Sequence, residues 1–167
     1  MNEAAVPPSV IAEAVAAAKG LLRLEGGQED GVLERMAGAA FATAELFCGQ
    51  VLVRREFAEA VEGEGWRRLS RRPVVAIEPL PGVAVGGYSV DIDARGTGWV
   101  RTPGRVTVRY EAGLAETFET LPAAVAHGVV LLVAHWFENR LGDDEPPAAV
   151  RALWRPYRRL MLRGETR

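Results

Sequence analysis

Cysteine, lysine and histidine are nearly missing from this 167-residue chain. Cys48 stands alone, which excludes an internal disulfide and a cysteine metal site; among apolar neighbours it reads as a small buried filler. His127 and His135 are the only histidines, and no HExxH pattern makes a zinc site of them. Lys19 is the only lysine, so nearly all the positive charge is arginine. Arginine's planar fork suits interface ion pairs, and GC-rich coding produces the same bias; both readings stand. The net charge is −2, which gives no overall basic footprint for tight non-specific nucleic-acid binding. Catalytic signatures are missing too. Ser9, Ser70 and Ser89 lack a Gly-x-Ser-x-Gly elbow. The glycine-rich stretches 82–87 and 96–98 lack the Lys-Ser ending of a phosphate loop and open no helix. Met1 to Pro8 has no basic stretch leading into an apolar core, so no secretory signal is expected and the protein is expected to be made in the cytoplasm.

What is present is a run without charge. From Leu121 to Phe137 no Asp, Glu, Lys or Arg occurs; charge returns at Glu138 and Arg140. It reads as a helix apolar on all sides, too short for the ~20 residues that span a membrane. Such a helix has to be covered all round, by the rest of the chain or by further copies of it. With 49% hydrophobic and 25% charged residues, one globular domain is expected.

The other elements follow from punctuation and period. Pro7-Pro8-Ser9 starts a helix over Val10–Lys19, with Ser9 as its cap. A second helix runs from Glu29-Asp30 to Cys48, with Leu33, Met36, Ala40, Ala44 and Phe47 at helical spacing and small side chains that admit a close neighbour. Strands are expected over Val51–Phe57, Val74–Ile77, Tyr88–Ile92 and Arg105–Tyr110. In the third, Tyr88, Val90 and Ile92 share one face, with Ser89, Asp91 and Asp93 opposite. Pro146-Pro147 opens a last helix with an apolar stripe of Val150, Leu153, Trp154, Tyr157, Leu160 and Met161. Pro156 interrupts it, so a break is expected near Arg155, with Tyr157–Arg163 projecting as a separate unit. The fold class expected is α+β: a small bundle of about four helices with an antiparallel β meander inserted between helices two and three.

Candidate chemistry is sparse. His135 and Glu138 lie three apart on one helix face, a metal-pair spacing, but filling an interface is the competing role. Asp91 and Asp93 share a strand face and can hold magnesium in a nuclease-like site, or be a solvated hairpin face. Arg54, Arg55, Arg67, Arg68, Arg71 and Arg72 cluster in the first hairpin, where they either meet nucleic-acid phosphates or keep an edge strand soluble. The last segment carries Arg151, Arg155, Arg158, Arg159, Arg163 and Arg167 against Glu165 alone, a basic docking element on a mildly acidic body.

The order of these pieces, with Val-Arg-Tyr-Glu-Ala-Gly (108–113), Leu-Leu-Val-Ala-His-Trp-Phe-Glu-Asn-Arg (131–140) and Ala-Val-x-x-Leu-Trp-x-Pro-Tyr-Arg (149–158), resembles the head–tail connector, or adaptor, proteins of long-tailed phages and phage-derived gene transfer agents. The resemblance implies a structural, non-enzymatic subunit without cofactor. Such subunits form a ring, commonly of about a dozen copies, and can be monomeric alone. The ring sits beneath the portal protein, receives a tail-completion (stopper) protein on its other side, lets DNA through its channel, and contacts no membrane. On this resemblance Arg155, Tyr157, Arg158, Arg159, Leu160, Met161 and Arg163 dock to the portal. Met36, Ala40, Leu132, His135, Trp136, Glu138 and Arg140 serve the core and subunit contacts, and the hairpin arginines are channel-facing candidates. It also implies assembly in the bacterial cytoplasm and then a place at the head–tail junction of the particle. Two other classes stay open on the residues alone: a small metal-dependent nuclease using Asp91, Asp93 and His135, and a DNA-binding regulator.

Overall fold

The computed structural model describes residues 4–84, 86–139 and 145–159. It is α+β. Helices α1 (Pro8–Leu22) and α2 (Asp30–Cys48) precede six strands: β1 (Arg55–Val61), β2 (Arg67–Arg68), β3 (Val74–Ile77), β4 (Ser89–Ile92), β5 (Gly98–Arg101) and β6 (Val106–Ala112). Then come α3 (Ala123–Glu138), α4 (Ala148–Trp154) and a single 3-10 turn, Arg155–Tyr157.

The apolar run is the central strut of the bundle. α3 packs against α1, α2 and α4, burying Val125, Val129, Leu132 and Val133 completely. Coverage is not complete: Leu131, His135, Trp136 and Phe137 are half-buried and His127 is exposed. Gly128 is needed for the closest approach. A Cβ there would lie 2.2 Å from the Trp154 indole nitrogen, which donates to the Val125 carbonyl at 3.3 Å. Trp154 is wholly buried by this fit.

α2 buries Leu33, Ala37, Ala40, Phe41, Ala44 and Cys48, a stripe rotated from the expected one, so Met36 and Phe47 sit at its edges. Gly49 ends the helix in the left-handed conformation at φ 65°, a position that favours glycine. The start of α1 differs from expectation: Pro7 is the cap residue, and Ser9, in the first turn, makes no capping bond.

The inserted block is antiparallel but is not a meander. Its strands form two three-stranded sheets, ordered β1-β6-β3 and β2-β5-β4. The expected first strand moves C-terminally. Val51–Arg54 runs beside the 114–115 segment instead, with Leu114 N–H donating to Val51 O at 3.1 Å and Arg54 N–H to Ala115 O at 2.8 Å. Pairing with β6 begins only at Arg55, opposite Ala112. β5, unexpected from sequence, supplies the buried Trp99 and Val100. The alternation expected in β4 is present, with Val90 and Ile92 42% and 38% exposed and Ser89 and Asp91 half-buried. β4 is an edge strand of a three-stranded sheet, and no further layer covers that face among the described residues.

Candidate functional site

The C-terminal segment breaks where Pro156 requires. α4 stops at Trp154, and the 3-10 turn carries Arg155, Pro156 and Tyr157. Pro156 cannot donate a backbone hydrogen bond, and its ring crowds the preceding turn, so the α-helix gives way. The chain then becomes extended at Arg158.

Up to Arg159 this segment does not project; that part of the expectation is corrected. Gln50 Nε2 donates to Tyr157 O at 2.8 Å. Arg159 N–H donates to Cys48 O at 2.7 Å, meeting a carbonyl left over at the end of α2. Arg72 Nη2 donates to Arg159 O at 2.9 Å, and Arg72 Nε to Gly49 O at 3.3 Å. The Arg158 guanidinium lies 5.5 Å from the centre of the Phe47 ring, a cation–π contact. Arg155 is exposed and Tyr157 is half-buried against the helical core. Leu160, Met161 and Arg163 lie outside the described residues, as does Arg140.

The hairpin arginines are not one patch with one job. Arg55 makes a two-pronged ion pair with Glu45, Nη1 to Oε1 and Nη2 to Oε2, both at 2.8 Å, and its Nε donates to Ala4 O at 2.7 Å. With side chains only 10% and 15% exposed, this pair joins the end of α2 to the start of β1. Arg54 pairs with Glu116. Arg71 lies 5.8 Å from the Phe57 ring centre. Arg67 is exposed, with its Nε donating to Glu62 O, and Arg68 beside it on β2 is half-buried. Sequence spacing placed these arginines in one hairpin, yet Arg54, Arg55 and Arg72 are taken up in ties within the fold.

The carboxylates are also spoken for. Asp93 sits in the turn after β4, where its Oδ1 accepts from Arg95 N–H at 2.8 Å and Thr97 N–H at 2.9 Å. Its Oδ2 accepts from the Trp99 indole at 3.4 Å. Desolvation raises its pKa, but the backbone hydrogen bonds of Thr97 and Arg95 and the Trp99 bond outweigh it, so the carboxyl stays below its usual range. That is a turn-building role. Among the described residues no group of three metal-ligating side chains occurs.

At the C-terminal end of α3, Asn139 Nδ2 donates to His135 O at 2.9 Å and lies 3.3 Å from His135 Nδ1. The Trp136 indole nitrogen is shielded from solvent without a partner among the described residues. Glu138 is exposed. Leu132 and Ala40 are core, whereas His135, Trp136 and Met36 border it.

Sequence reasoning missed one surface. Between α1, α2 and the β block lies an open groove of about 570 Å³ lined by Val6, Ile11, Ala42, Leu46, Val51 and Arg72, among others. Leu46, near the end of α2, is 85% exposed. Its signal was the helical spacing of Gly38, Ala42 and Leu46 on the face opposite the core stripe.

No protein-family model matches this chain, and no curated protein does. Solved structures do. The fold superposes on a chain from the neck of an empty GTA particle computed with C6 symmetry, with a TM-score of 0.76 and 24% identity over 100% of both chains. It also matches a chain of a native gene transfer agent virion, with a TM-score of 0.71 and 24% identity over 98% of this chain and 97% of that one. A third match is the neck of a native GTA particle computed with C12 symmetry, with a TM-score of 0.70 and 24% identity over 100% of both. From end to end, this chain has the fold of a chain found in the neck of a gene transfer agent particle.

Proposed function

We propose that this chain is a structural connector subunit that forms a ring in the neck of a phage or gene-transfer-agent particle, joining head to tail, with no enzymatic activity of its own. One observation carries this reading: the likeness to neck chains extends over the whole of both chains, insert included. A ring is supported by the six- and twelvefold symmetry with which those necks were computed. Ring contacts are heterologous, so each subunit offers two different surfaces. The half-covered side chains of α3, Leu131, His135, Trp136 and Phe137, are one candidate, with Glu138 at its end.

The C-terminal segment is the portal-docking element in this reading. Arg155, Tyr157, Arg158 and Arg159 form its root, fastened to α2 and Arg72, and Leu160, Met161 and Arg163 reach the portal. A tail-completion protein meets the opposite side of the ring. Arg67 and Arg68 on β2 are the arginines we assign to the DNA passage, where phosphate contact needs charge and no base reading. Assembly takes place in the bacterial cytoplasm, and the finished site is the head–tail junction. No described helix is long and apolar enough to cross a membrane. The turn-bound Asp93 gives a nuclease reading no support.

Truncation after Arg159 tests the docking role. The shortened protein is expected to keep its folding free energy and to lose co-sedimentation with portal rings. Undiminished co-sedimentation would remove the portal assignment.

A further inference from the structure

We propose that the groove between α1, α2 and the β block receives the outer face of α3 from the next copy of this chain. A ring subunit needs two unlike surfaces; this groove is the second of them, and its role rests on the ring reading above. Val6, Ile11, Ala42, Leu46 and Val51 give it an apolar lining. Its volume is about 570 Å³, whereas a cavity of ~150 Å³ already holds a benzene ring, so it takes more than one side chain. Leu46 stands 85% exposed in the free chain, and a neighbour that arrives on assembly covers it.

Gly38 points to a close neighbour. Glycine inside a helix weakens it relative to alanine, and the space that a Cβ on Gly38 would fill is open. No packing among the described residues calls for the missing side chain. A helix from outside does, because the side chains at a crossing set how near two helix axes come. Gly38, Ala42 and Leu46 recur every four residues. They form one line about 150° round α2 from the middle of its buried stripe.

The outer face of α3 is built the same way. His127, Leu131, His135 and Glu138 follow at spacings of four, four and three, so they share a line. That line lies about 160° round α3 from the middle of its buried face. Because α2 and α3 pack on each other, the two lines look outward on opposing sides of that pair. A ring of about twelve needs its two contact surfaces only ~30° short of opposite. Charge selects the occupant. The groove's lining holds three arginines, Arg55, Arg71 and Arg72, against Glu45 alone, and Arg72 stands at the C-terminal end of α2, where its Nε donates to Gly49 O. The α3 line runs from apolar Leu131 to the exposed Glu138 at its own C-terminal end, whose carbonyls add negative charge. With the two helices parallel, apolar meets apolar and acid meets base. The exposed face of β4, Val90 and Ile92, is instead flanked by exposed Arg95 and Arg101, which carry the sign of the groove's own rim.

The test mixes two full-length variants, with and without portal rings. One carries Ala42→Cys or Leu46→Cys in the groove, the other Leu131→Cys or His135→Cys on α3, so a variant that does not fold has a replacement. Cys48 is buried and stays out of the reaction. Disulfide-linked dimer is followed on non-reducing gels under mild oxidation, where the rate follows the population of the contact. A groove–α3 pair is expected to link about tenfold faster than either variant with itself. That advantage is expected to vanish when the groove chain carries Gly38→Leu, for which the isolated subunit has room. Pairs that link no faster than self-pairs under both conditions overturn the proposal, as does an advantage untouched by Gly38→Leu. Fast groove–groove linkage, a symmetric contact that closes at two copies, or fast linkage of the groove to Val90→Cys on β4, overturns it as well. Portal-bound rings without a groove–α3 link fault this contact alone; a groove–α3 link in a protein that never binds portal rings faults the proposed function and leaves the contact standing.

Discussion

The helical half and the β half of this molecule bury their side chains in different ways. The helical half closes around one strut, and its largest fully buried side chain, Trp154, is seated against a bare glycine. The β half has its own core of Phe57, Val61, Leu69, Val74, Val100, Val108 and Tyr110, and each half leaves some apolar side chains exposed: Leu21 and Leu46 in the helical half, and Val75, Val90 and Ile92 in the β half. Between them the ties are largely polar: the Arg55–Glu45 pair, the paired segments 51–54 and 114–115, and Arg72 to Gly49 and Arg159. An apolar core fixes each half, and directional bonds fix how one half sits on the other. A ring subunit needs both, because a small angular error repeated around a ring prevents closure.

Substitutions sharpen this contrast. Trp154→Ala removes a fully buried aromatic, and we expect a loss of ~3–5 kcal/mol in denaturant unfolding. Gly128→Ala should cost ~3 kcal/mol by overpacking in the native background, and far less beside Trp154→Ala, since the two occupy one space. Additive losses in that cycle would mean that the glycine serves something other than Trp154. Arg55→Ala breaks the ion pair that links the halves and should cost ~2–3 kcal/mol, below the figure for a fully buried pair because the side chains are partly wetted. If the two halves then unfold at separate midpoints, the joint is what made them cooperative. Val90→Ser and Ile92→Ser should each stay within ~0.5 kcal/mol, as surface changes do; a loss beyond 1.5 kcal/mol in the isolated subunit would mean that this face is covered after all.

The halves also differ toward pH. Burial, helped by Glu45, pushes the Cys48 thiol up to about 11, so its contribution in the helical half is complete below about 9 and is lost as pH rises through about 11. Cys48 should therefore react with a thiol reagent only as fast as the protein unfolds. Tyr110 in the β half moves the same way, by burial first, and is likewise a loss at alkaline pH. Asp93 moves oppositely. Its pKa is depressed, so its contribution is present above the usual carboxylate range and is lost as pH falls through its folded value. Acid should release the amide protons of Arg95 and Thr97 to exchange before those of α3, a small effect confined to one turn.

Much of the helical half was legible because its signals are local. Gly49 stops α2, Pro156 stops α4, and an uncharged run points to the interior, where most of α3 lies. The β half was read as an antiparallel inserted block, but its strand order is not the meander expected. β2 is two residues long and β5 is four, too short to show a period, and the pairing of β6 with both β1 and β3 is a long-range fact. Alternation in β4 was visible, but its direction was not, because an edge strand's faces are assigned by what lies above them. The root of the C-terminal segment misled for the same reason: Arg158 and Arg159 look like a free basic tail until Phe47 and Cys48 are seen beneath them.

The most direct test of the central claim is negative-stain imaging of the purified protein mixed with portal rings and, separately, alone. The account predicts an added ring of uniform diameter and cyclic symmetry coaxial with the portal. Portals that remain bare at saturating subunit concentration, or subunits bound singly and without rotational order, would contradict it.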